Sequence, residues 1–292
     1  MKDTLWRGTA FDDTFRIFAV DATQTAQKAR DLHDLSPIST ILMGKMISAA
    51  AILSLDLKNE QSDVSLRIDA EGPLNGGLVI CDMHGDIRGY MRRPQFETQA
   101  AADNFYPGRQ LGEGTFTVIK SQPESQPWMG STKLVTGEIA EDLAHFYMQS
   151  EQVPSAVALG ILVDQNAKVR ACAGFMIQQL PFAEPAKAEQ LIANLSATPN
   201  LSDLMDMGMS LQEVFERFVF KGIDYNLTPA RNISYRCNCS KERFARSLLT
   251  LGLKELQEMT DGITPVCLYC NSKYEFTPED IKGLIESMET AP

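Results

Sequence analysis

The spacing of apolar residues changes several times along the chain. From Thr14 to Leu35 it predicts a strand followed by a helix, and residues 37–58 form a longer, more apolar stretch that predicts a second, buried helix. Residues 63–72 and 114–121 alternate apolar and polar side chains, and residues 76–91 hold two short apolar runs about a His-Gly-Asp turn. This period of two is typical of antiparallel strands and hairpins.

Helical spacing returns in residues 136–152, and two further apolar runs, residues 155–164 and 168–181, are joined by the turn DQNAK. The sequence therefore predicts an α+β protein. Its first part, residues 1–181, is expected to be an α/β domain with a mixed or antiparallel sheet.

Residues 182–230 predict a linker of several short helices, interrupted by proline and glycine. Ser210 and Glu213 have the spacing of a capping box at the start of one of them. Met205, Met207 and Met209 allow two interpretations. They form either an adaptable surface for apolar partners or ordinary core packing, and the pattern does not separate the two.

The tail, residues 231–292, has little aliphatic core for its size and needs an added staple. Ser240 is positioned to cap a helix that Gly252 can end, and Thr277, with Asp280 three residues later, to cap the last helix. Four cysteines of the tail share a metal-ligand spacing: Cys237, Cys239, Cys267 and Cys270.

Those four thiols predict a closed tetrahedral site for one Zn²⁺ per chain, because residues two apart in an extended segment face the same side and a C-x-x-C turn converges on one ion. A closed site leaves no position for water or substrate, which disfavours a catalytic zinc, and we expect that the protein is not an enzyme. From the spacing alone the zinc is either an inert staple or a redox switch. Cys81 and Cys172 are expected to be buried, inert thiols.

Composition and charge limit the partners and the compartment that we expect for the protein. The formal net charge is −11, nearly all of it before residue 231, which disfavours nucleic acid as a general partner. The longest apolar-rich run, residues 46–57, is short for a bilayer, and no signal-peptide pattern is visible, so we expect a reducing cytoplasm and no membrane partner. His33, His84 and His145 are scattered, and no nucleotide-binding glycine motif occurs.

Five basic residues surround the first cysteine pair: Arg231, Arg236, Lys241, Arg243 and Arg246. They either contact nucleic-acid phosphates or offset the negative charge of a four-thiolate zinc centre, and the acidic body favours the second role. A zinc-stapled nucleic-acid-binding regulator therefore stays open as an alternative function. A thiol oxidoreductase built on Cys267 and Cys270 is a third hypothesis, which lacks the usual strand-to-helix context.

The segments CNCSKERFARSLLTLGLKELQEM and VCLYCNSKYEFTPEDIKGLI resemble the C-terminal zinc module of the 33 kDa chaperonin family. In the body, DAEGPLNGGLVICDMHGDIRGYMRRP, SEQVPSAVALGILV and AGFMIQQLP are similar to segments of the same family. The resemblance covers nearly the whole chain, and the cysteine pattern is its most specific part. The linker departs from the family by being less densely charged.

The resemblance implies an ATP-independent holdase that is inactive while reduced and zinc-bound. By this resemblance, oxidation would release the zinc and form the disulfides Cys237–Cys239 and Cys267–Cys270. The tail and the linker would then unfold, and the chains would form homodimers. Apolar surface would become exposed to unfolding client proteins during oxidative or heat stress. The candidate client-binding residues lie in the linker: Leu204, Met205, Leu211, Val214, Phe215, Phe218 and Phe220. In the reduced protein we expect the linker helix to pack against the zinc-stapled tail, which covers its apolar face until the tail unfolds, and also against the main domain.

Overall fold

The structure, a computed structural model, describes residues 2–96 and 107–289 and has two compact units, Met1–Arg236 and Cys237–Pro292. Its strands are β1 (Thr4–Ala10), β2 (Phe15–Asp21), β3 (Asp63–Ala70), β4 (Gly76–Asp82), β5 (Asp86–Met91), β6 (Gly114–Ser121), β7 (Trp128–Lys133), β8 (Ser155–Val163), β9 (Val169–Gln179), β10 (Tyr225–Asn232) and β11 (Ser234–Tyr235). Its α-helices are α1 (Thr23–His33), α2 (Pro37–Leu53), α3 (Pro107–Leu111), α4 (Ile139–Phe146), α5 (Pro185–Ala197), α6 (Leu201–Asp206), α7 (Leu211–Val214), α8 (Lys241–Leu249), α9 (Leu253–Gln257) and α10 (Pro278–Glu289).

The first unit contains two sheets where the sequence predicted one. Five strands pair antiparallel in the order β10, β1, β2, β9, β8, and six pair in the order β11, β5, β4, β3, β6, β7. Only the short pairing of β11 with β5 is parallel among the described strands. The α+β class and the mixed or antiparallel pairing predicted from the sequence are therefore confirmed.

Helix α2 is the central element of the first unit. Its side chains are buried nearly all round, and it packs against strands of both sheets. Together with a short 3₁₀ turn through Asp56 it is long and apolar enough to cross a membrane, so the sequence-based judgement that the apolar run is too short was wrong. Because 89% of its apolar window is buried inside the protein, the helix is part of the core.

Strands β1 and β10 were not predicted from the sequence. They pair from Thr4 opposite Asn232 to Ala10 opposite Tyr225, which joins segments more than 200 residues apart. Gly8 permits the close approach, since a Cβ there would collide with the backbone of Asn226. Residues 225–230, expected to be helical linker, are therefore strand.

The predicted linker packs with the first unit. Helices α5 to α7 and the π-helical turn Phe215–Val219 form an apolar cluster with residues of β1, β2 and β9. Ser210 caps α7 with the predicted capping box, since its side chain accepts from Glu213 N and the Glu213 carboxylate accepts from Ser210 N. The division at residues 181 and 230 remains a prediction, and its outermost residues, 1 and 290–292, lie outside the described part of the chain.

Candidate metal centre

A short hairpin presents the second cysteine pair. Ile263 pairs with Phe276 and Val266 with Lys273, which leaves Cys267 to Cys270 near its tip. The backbone N–H of Asn271 donates to the Cys267 carbonyl at 2.8 Å, and Asn271 adopts a left-handed conformation with φ 57° that asparagine tolerates well. The turn therefore brings both sulfurs to one side.

The first cysteine pair lies directly before α8. Ser240 follows Cys239 and caps that helix, since its hydroxyl accepts from Arg243 N at 3.3 Å, as the sequence predicted. At the far end of the unit the predicted cap of α10 is also present, with Asp280 N donating to Thr277 Oγ1 at 3.2 Å. Lys241 links the two helices through its ion pair with Asp280 at 2.7 Å.

The four cysteines of the tail come together as predicted. Their sulfurs all lie within 4.8 Å of one another, with 3.8 Å between Cys237 and Cys267 and 3.3 Å between Cys239 and Cys270. All four are free thiols. Zinc–sulfur bonds of about 2.3 Å in a tetrahedron require sulfurs about 3.8 Å apart, so the donor set fits one zinc ion with small adjustments.

Burial and hydrogen bonds shift the pKa values of three of the sulfurs in different directions. Burial raises the pKa of Cys237 and that of Cys267. Burial also opposes ionisation of Cys270, but hydrogen bonds with the side chain and backbone of Ser272, and with neighbouring thiols, lower the pKa of Cys270 to about 7. Three sulfurs accept hydrogen bonds from backbone N–H groups, each of which acts to lower the pKa of its thiol. The N–H of Cys239 donates to Cys237, that of Tyr269 to Cys267 and that of Ser272 to Cys270.

A tyrosine that the sequence analysis missed also contacts the site. The hydroxyl of Tyr274 lies 3.0 Å from Cys239 Sγ, and this hydrogen bond raises the pKa of Tyr274 to about 12. Its position four residues after Cys270 was visible in the sequence, but spacing alone does not show that the hydroxyl returns to the other cysteine pair.

The cysteine unit has a small apolar core of its own. Four apolar residues are buried in it besides Cys267: Leu248, Leu256, Phe276 and Ile281. Half-buried side chains such as Phe244 and Met259 surround them. This limited core agrees with the expectation that the tail depends on a staple for stability.

The five basic residues near the first cysteine pair make separate local contacts. Arg231 donates to the carbonyls of Met83 and Ser54, while Arg236 lies 3.5 Å from Asp86. In the second unit Lys241 pairs with Asp280, and Arg243 donates to Asn238 at 2.6 Å. Four of the five are thus engaged in hydrogen bonds or ion pairs within their own units.

The remaining cysteines and histidines take no part in the centre. Cys81 and Cys172 are fully buried, as predicted, and burial raises the pKa of each thiol to about 12. His33 is buried in the first unit, where Nε2 lies 2.9 Å from the Tyr235 hydroxyl. That contact was not foreseen from the sequence.

The candidate client-binding residues pack on the five-stranded sheet. Five are buried in the cluster of the linker helices: Leu204, Leu211, Val214, Phe215 and Phe220. Met205 and Phe218 are partly buried beside them. Of the other two methionines Met209 also packs there, whereas Met207 is 78% exposed. In this state five of the seven residues are buried and the other two are only partly exposed.

Comparison with known proteins agrees with this architecture. The model of the Hsp33 protein family matches residues 3–277. The "33 kDa chaperonin" of Clostridium perfringens strain SM101 is 35% identical over 99% of this chain and 93% of its own, and that of Agathobacter rectalis is 35% identical over 97% and 100%. The crystal structure of the 33 kDa chaperonin (heat shock protein 33 homolog) from Thermotoga maritima superimposes with a TM-score of 0.92 at 29% identity, covering both chains completely.

A two-sheet body followed by a four-thiol unit, matched along its whole length to chaperonins of this kind, defines the protein as a molecular chaperone. The chain belongs to the Hsp33 family.

Proposed function

We propose that the protein is an ATP-independent holdase switched by oxidation of its zinc centre. The observation that carries the proposal is the convergence of four free thiols within 4.8 Å in a unit with only a small apolar core. Bound Zn²⁺ would hold the four sulfurs as thiolates. It would also link the two cysteine arms, which are the segment that carries Cys237 and Cys239 and the hairpin that carries Cys267 and Cys270. Because that link replaces a larger core, loss of the metal unfolds the unit.

Oxidation removes the zinc ligands in pairs. Two thiolates give two electrons to one peroxide molecule, whose O–O bond breaks while an S–S bond forms, and two protons from solvent complete two water molecules. We propose that the pairs are Cys237 with Cys239 and Cys267 with Cys270. A Cys-x-Cys disulfide closes a very small ring, so cellular thiols would reduce it easily.

We propose that unfolding of the tail exposes the apolar face of the linker. The seven candidate residues, which now pack on the five-stranded sheet, become a client-binding surface when the linker helices leave it. Oxidised chains are proposed to form homodimers. The protein is expected to act in the cytoplasm, where thiols stay reduced until an oxidant appears.

An oxidant titration tests the function. The zinc-loaded protein is treated with hydrogen peroxide at mild heat, or with hypochlorous acid, and zinc release, free thiols and suppression of light scattering by a heat-denatured client are measured together. We expect about one zinc per chain to be lost as chaperone activity appears. Oxidised protein that sheds zinc but leaves client aggregation unchanged would disprove the proposal.

Peptide mapping of the oxidised protein tests the pairing. The structure places Cys239 close to Cys270 and Cys237 close to Cys267, so disulfides between the two arms are the alternative outcome. A Cys81→Ala variant is the matched control, since it removes a buried thiol outside the centre and should leave the zinc response unchanged.

A further inference from the structure

The hydroxyl of Tyr274 is directed at the metal centre from outside the ligand set. It lies 3.0 Å from Cys239 Sγ. A zinc-bound thiolate carries no proton, so in the loaded site this hydroxyl is the donor and the sulfur accepts. Hydrogen bonds to a charged acceptor are stronger than those between neutral groups.

Both halves of the second unit hold Tyr274 in place. Its backbone N–H donates to the Pro265 carbonyl at 3.1 Å, which fixes the residue in the hairpin of the second cysteine pair. Its ring packs against Phe244 at 5.0 Å between centroids, and Phe244 lies on α8, directly after the first pair. The hydroxyl therefore reaches Cys239 from the opposite arm.

Tyr274 differs in kind from the backbone donors to sulfur. Cys237 and Cys267 receive backbone N–H groups, which no substitution removes cleanly. The Tyr274 hydroxyl can be deleted by one conservative change that keeps the ring. A donor that withdraws charge from a thiolate stabilises the metal-bound sulfur and makes it a weaker nucleophile toward peroxide.

We propose that Tyr274 is a positioning residue of the zinc centre, whose hydroxyl donates to the Cys239 thiolate, strengthens zinc binding and slows oxidation of the first cysteine pair. The inference rests on the proposed zinc switch and adds to it a residue that sets the oxidant level at which zinc is lost. It also couples the two arms, because disorder of the hairpin removes the donor from Cys239.

The variant Tyr274→Phe in the full chain tests the inference. Zinc affinity is measured by competition with a chromophoric chelator, and the rate of zinc release by stopped-flow at fixed peroxide. We expect affinity to fall about tenfold, in the range seen when an outer-shell partner of a metal ligand is removed, with faster zinc release. Unchanged affinity together with an unchanged release rate would overturn the inference.

Cobalt substitution provides a readout that a purely structural role would not move. In the Co²⁺-loaded protein, loss of a hydrogen bond raises the energy of the sulfur lone pairs, so the sulfur-to-cobalt charge-transfer band of Tyr274→Phe should shift to longer wavelength. A 3-fluorotyrosine at position 274 keeps the hydroxyl as a stronger donor and should shift the band the opposite way. If both variants absorb as the parent protein does, the hydroxyl does not act on sulfur.

Two controls separate this role from packing. Tyr225→Phe removes a hydroxyl in the first unit and should leave zinc affinity and the cobalt spectrum unchanged. Phe244→Leu keeps the Tyr274 hydroxyl but removes its ring partner, so it should weaken zinc binding less than Tyr274→Phe; a larger loss in Phe244→Leu would assign the effect to packing. The zinc affinity of the parent protein separates the two proposals. A parent protein that binds no zinc would disprove the proposed function, whereas a parent protein that binds zinc as tightly as Tyr274→Phe, with the same release rate, would disprove only the inference.

Discussion

The hydroxyl of Tyr235 lies 2.9 Å from Nε2 of His33 in the interior of the first unit. The same hydroxyl donates to the Gly89 carbonyl at 2.6 Å and accepts from Gly89 N at 3.1 Å. Tyr235 belongs to β11, two residues before Cys237, and is only 1% exposed. This buried polar group fixes the last strand of the body immediately before the cysteine unit begins.

Replacing Tyr235 with phenylalanine should destabilise the first unit by about 1–3 kcal/mol, because several buried polar groups lose a partner together. Urea unfolding followed by tryptophan fluorescence measures this, since Trp6 and Trp128 both lie in the first unit. Tyr225→Phe is the matched control and should cost less. Equal unfolding free energies for the Tyr235 variant and the parent protein would contradict the prediction.

Local signals were read correctly from the sequence. The caps at Ser210, Ser240 and Thr277 and the buried helix α2 each follow from residues within a few positions of one another. The four cysteines were also identified, because thiol ligands are rare and their spacing is chemically restrictive.

Long-range pairing was not accessible from the sequence. Strand β10 contains Pro229 and mostly polar or exposed side chains, which suits an edge strand but gives no periodic apolar signal. Its partner β1 lies at the other end of the first unit in the sequence, although the two strands are neighbours in the sheet. Likewise, the contacts of Tyr235 with His33 and of Tyr274 with Cys239 depend on folding that brings distant residues together.

Removal of zinc should unfold the second unit and leave the first one folded. Structural zinc contributes about 10–16 kcal/mol of binding free energy in small modules, and the four buried apolar residues of this unit cannot replace it. Hydrogen exchange after treatment with a strong chelator should show loss of protection in residues 237–289 and retention in α2. Protection that survives complete zinc removal would show that the small core suffices.

Single ligand substitutions should have the same effect as the chelator. Cys270→Ser is expected to abolish stoichiometric zinc binding, measured as zinc content after gel filtration, because a serine hydroxyl does not replace a thiolate in a closed site. Cys81→Ala removes a buried cysteine of the first unit and should keep the metal. Full zinc content in the Cys270 variant would mean that three thiols are enough.

Phe215 should be among the most important residues for the stability of the first unit. It is fully buried, and its ring packs edge-on against Phe175 and Phe220 at 5.4 Å. Phe215→Ala should therefore lower the free energy of unfolding by about 3–5 kcal/mol. Met207→Ala, at an exposed position of the same linker, should change it by less than about 0.5 kcal/mol. Similar values for the two variants would contradict the packing of the linker on the sheet.

Asp3 makes the stability of the first unit depend on pH in an unusual direction. Its carboxylate is buried and accepts from Thr25 N at 2.6 Å and Gln24 N at 3.1 Å, at the start of α1. Burial raises the pKa of Asp3 above its ordinary value of 3.8, although hydrogen bonds from Thr25 and Gln24 oppose the shift. The folded protein therefore binds this proton more tightly than the unfolded chain does.

It follows that the contribution of Asp3 is most favourable below about pH 3.8 and is lost as the pH rises through the pKa of the folded state. The unfolding free energy of the parent protein minus that of Asp3→Asn should thus fall with rising pH just above 3.8 and then level off, measured by tryptophan fluorescence in urea. Asp164 provides the opposite case, because hydrogen bonds from the backbone N–H groups of Lys168 and Asn166 lower the pKa of this exposed carboxyl. The difference between the parent protein and Asp164→Asn should rise with pH below 3.8. Parallel slopes for the two variants would show that burial does not control the ionisation of Asp3.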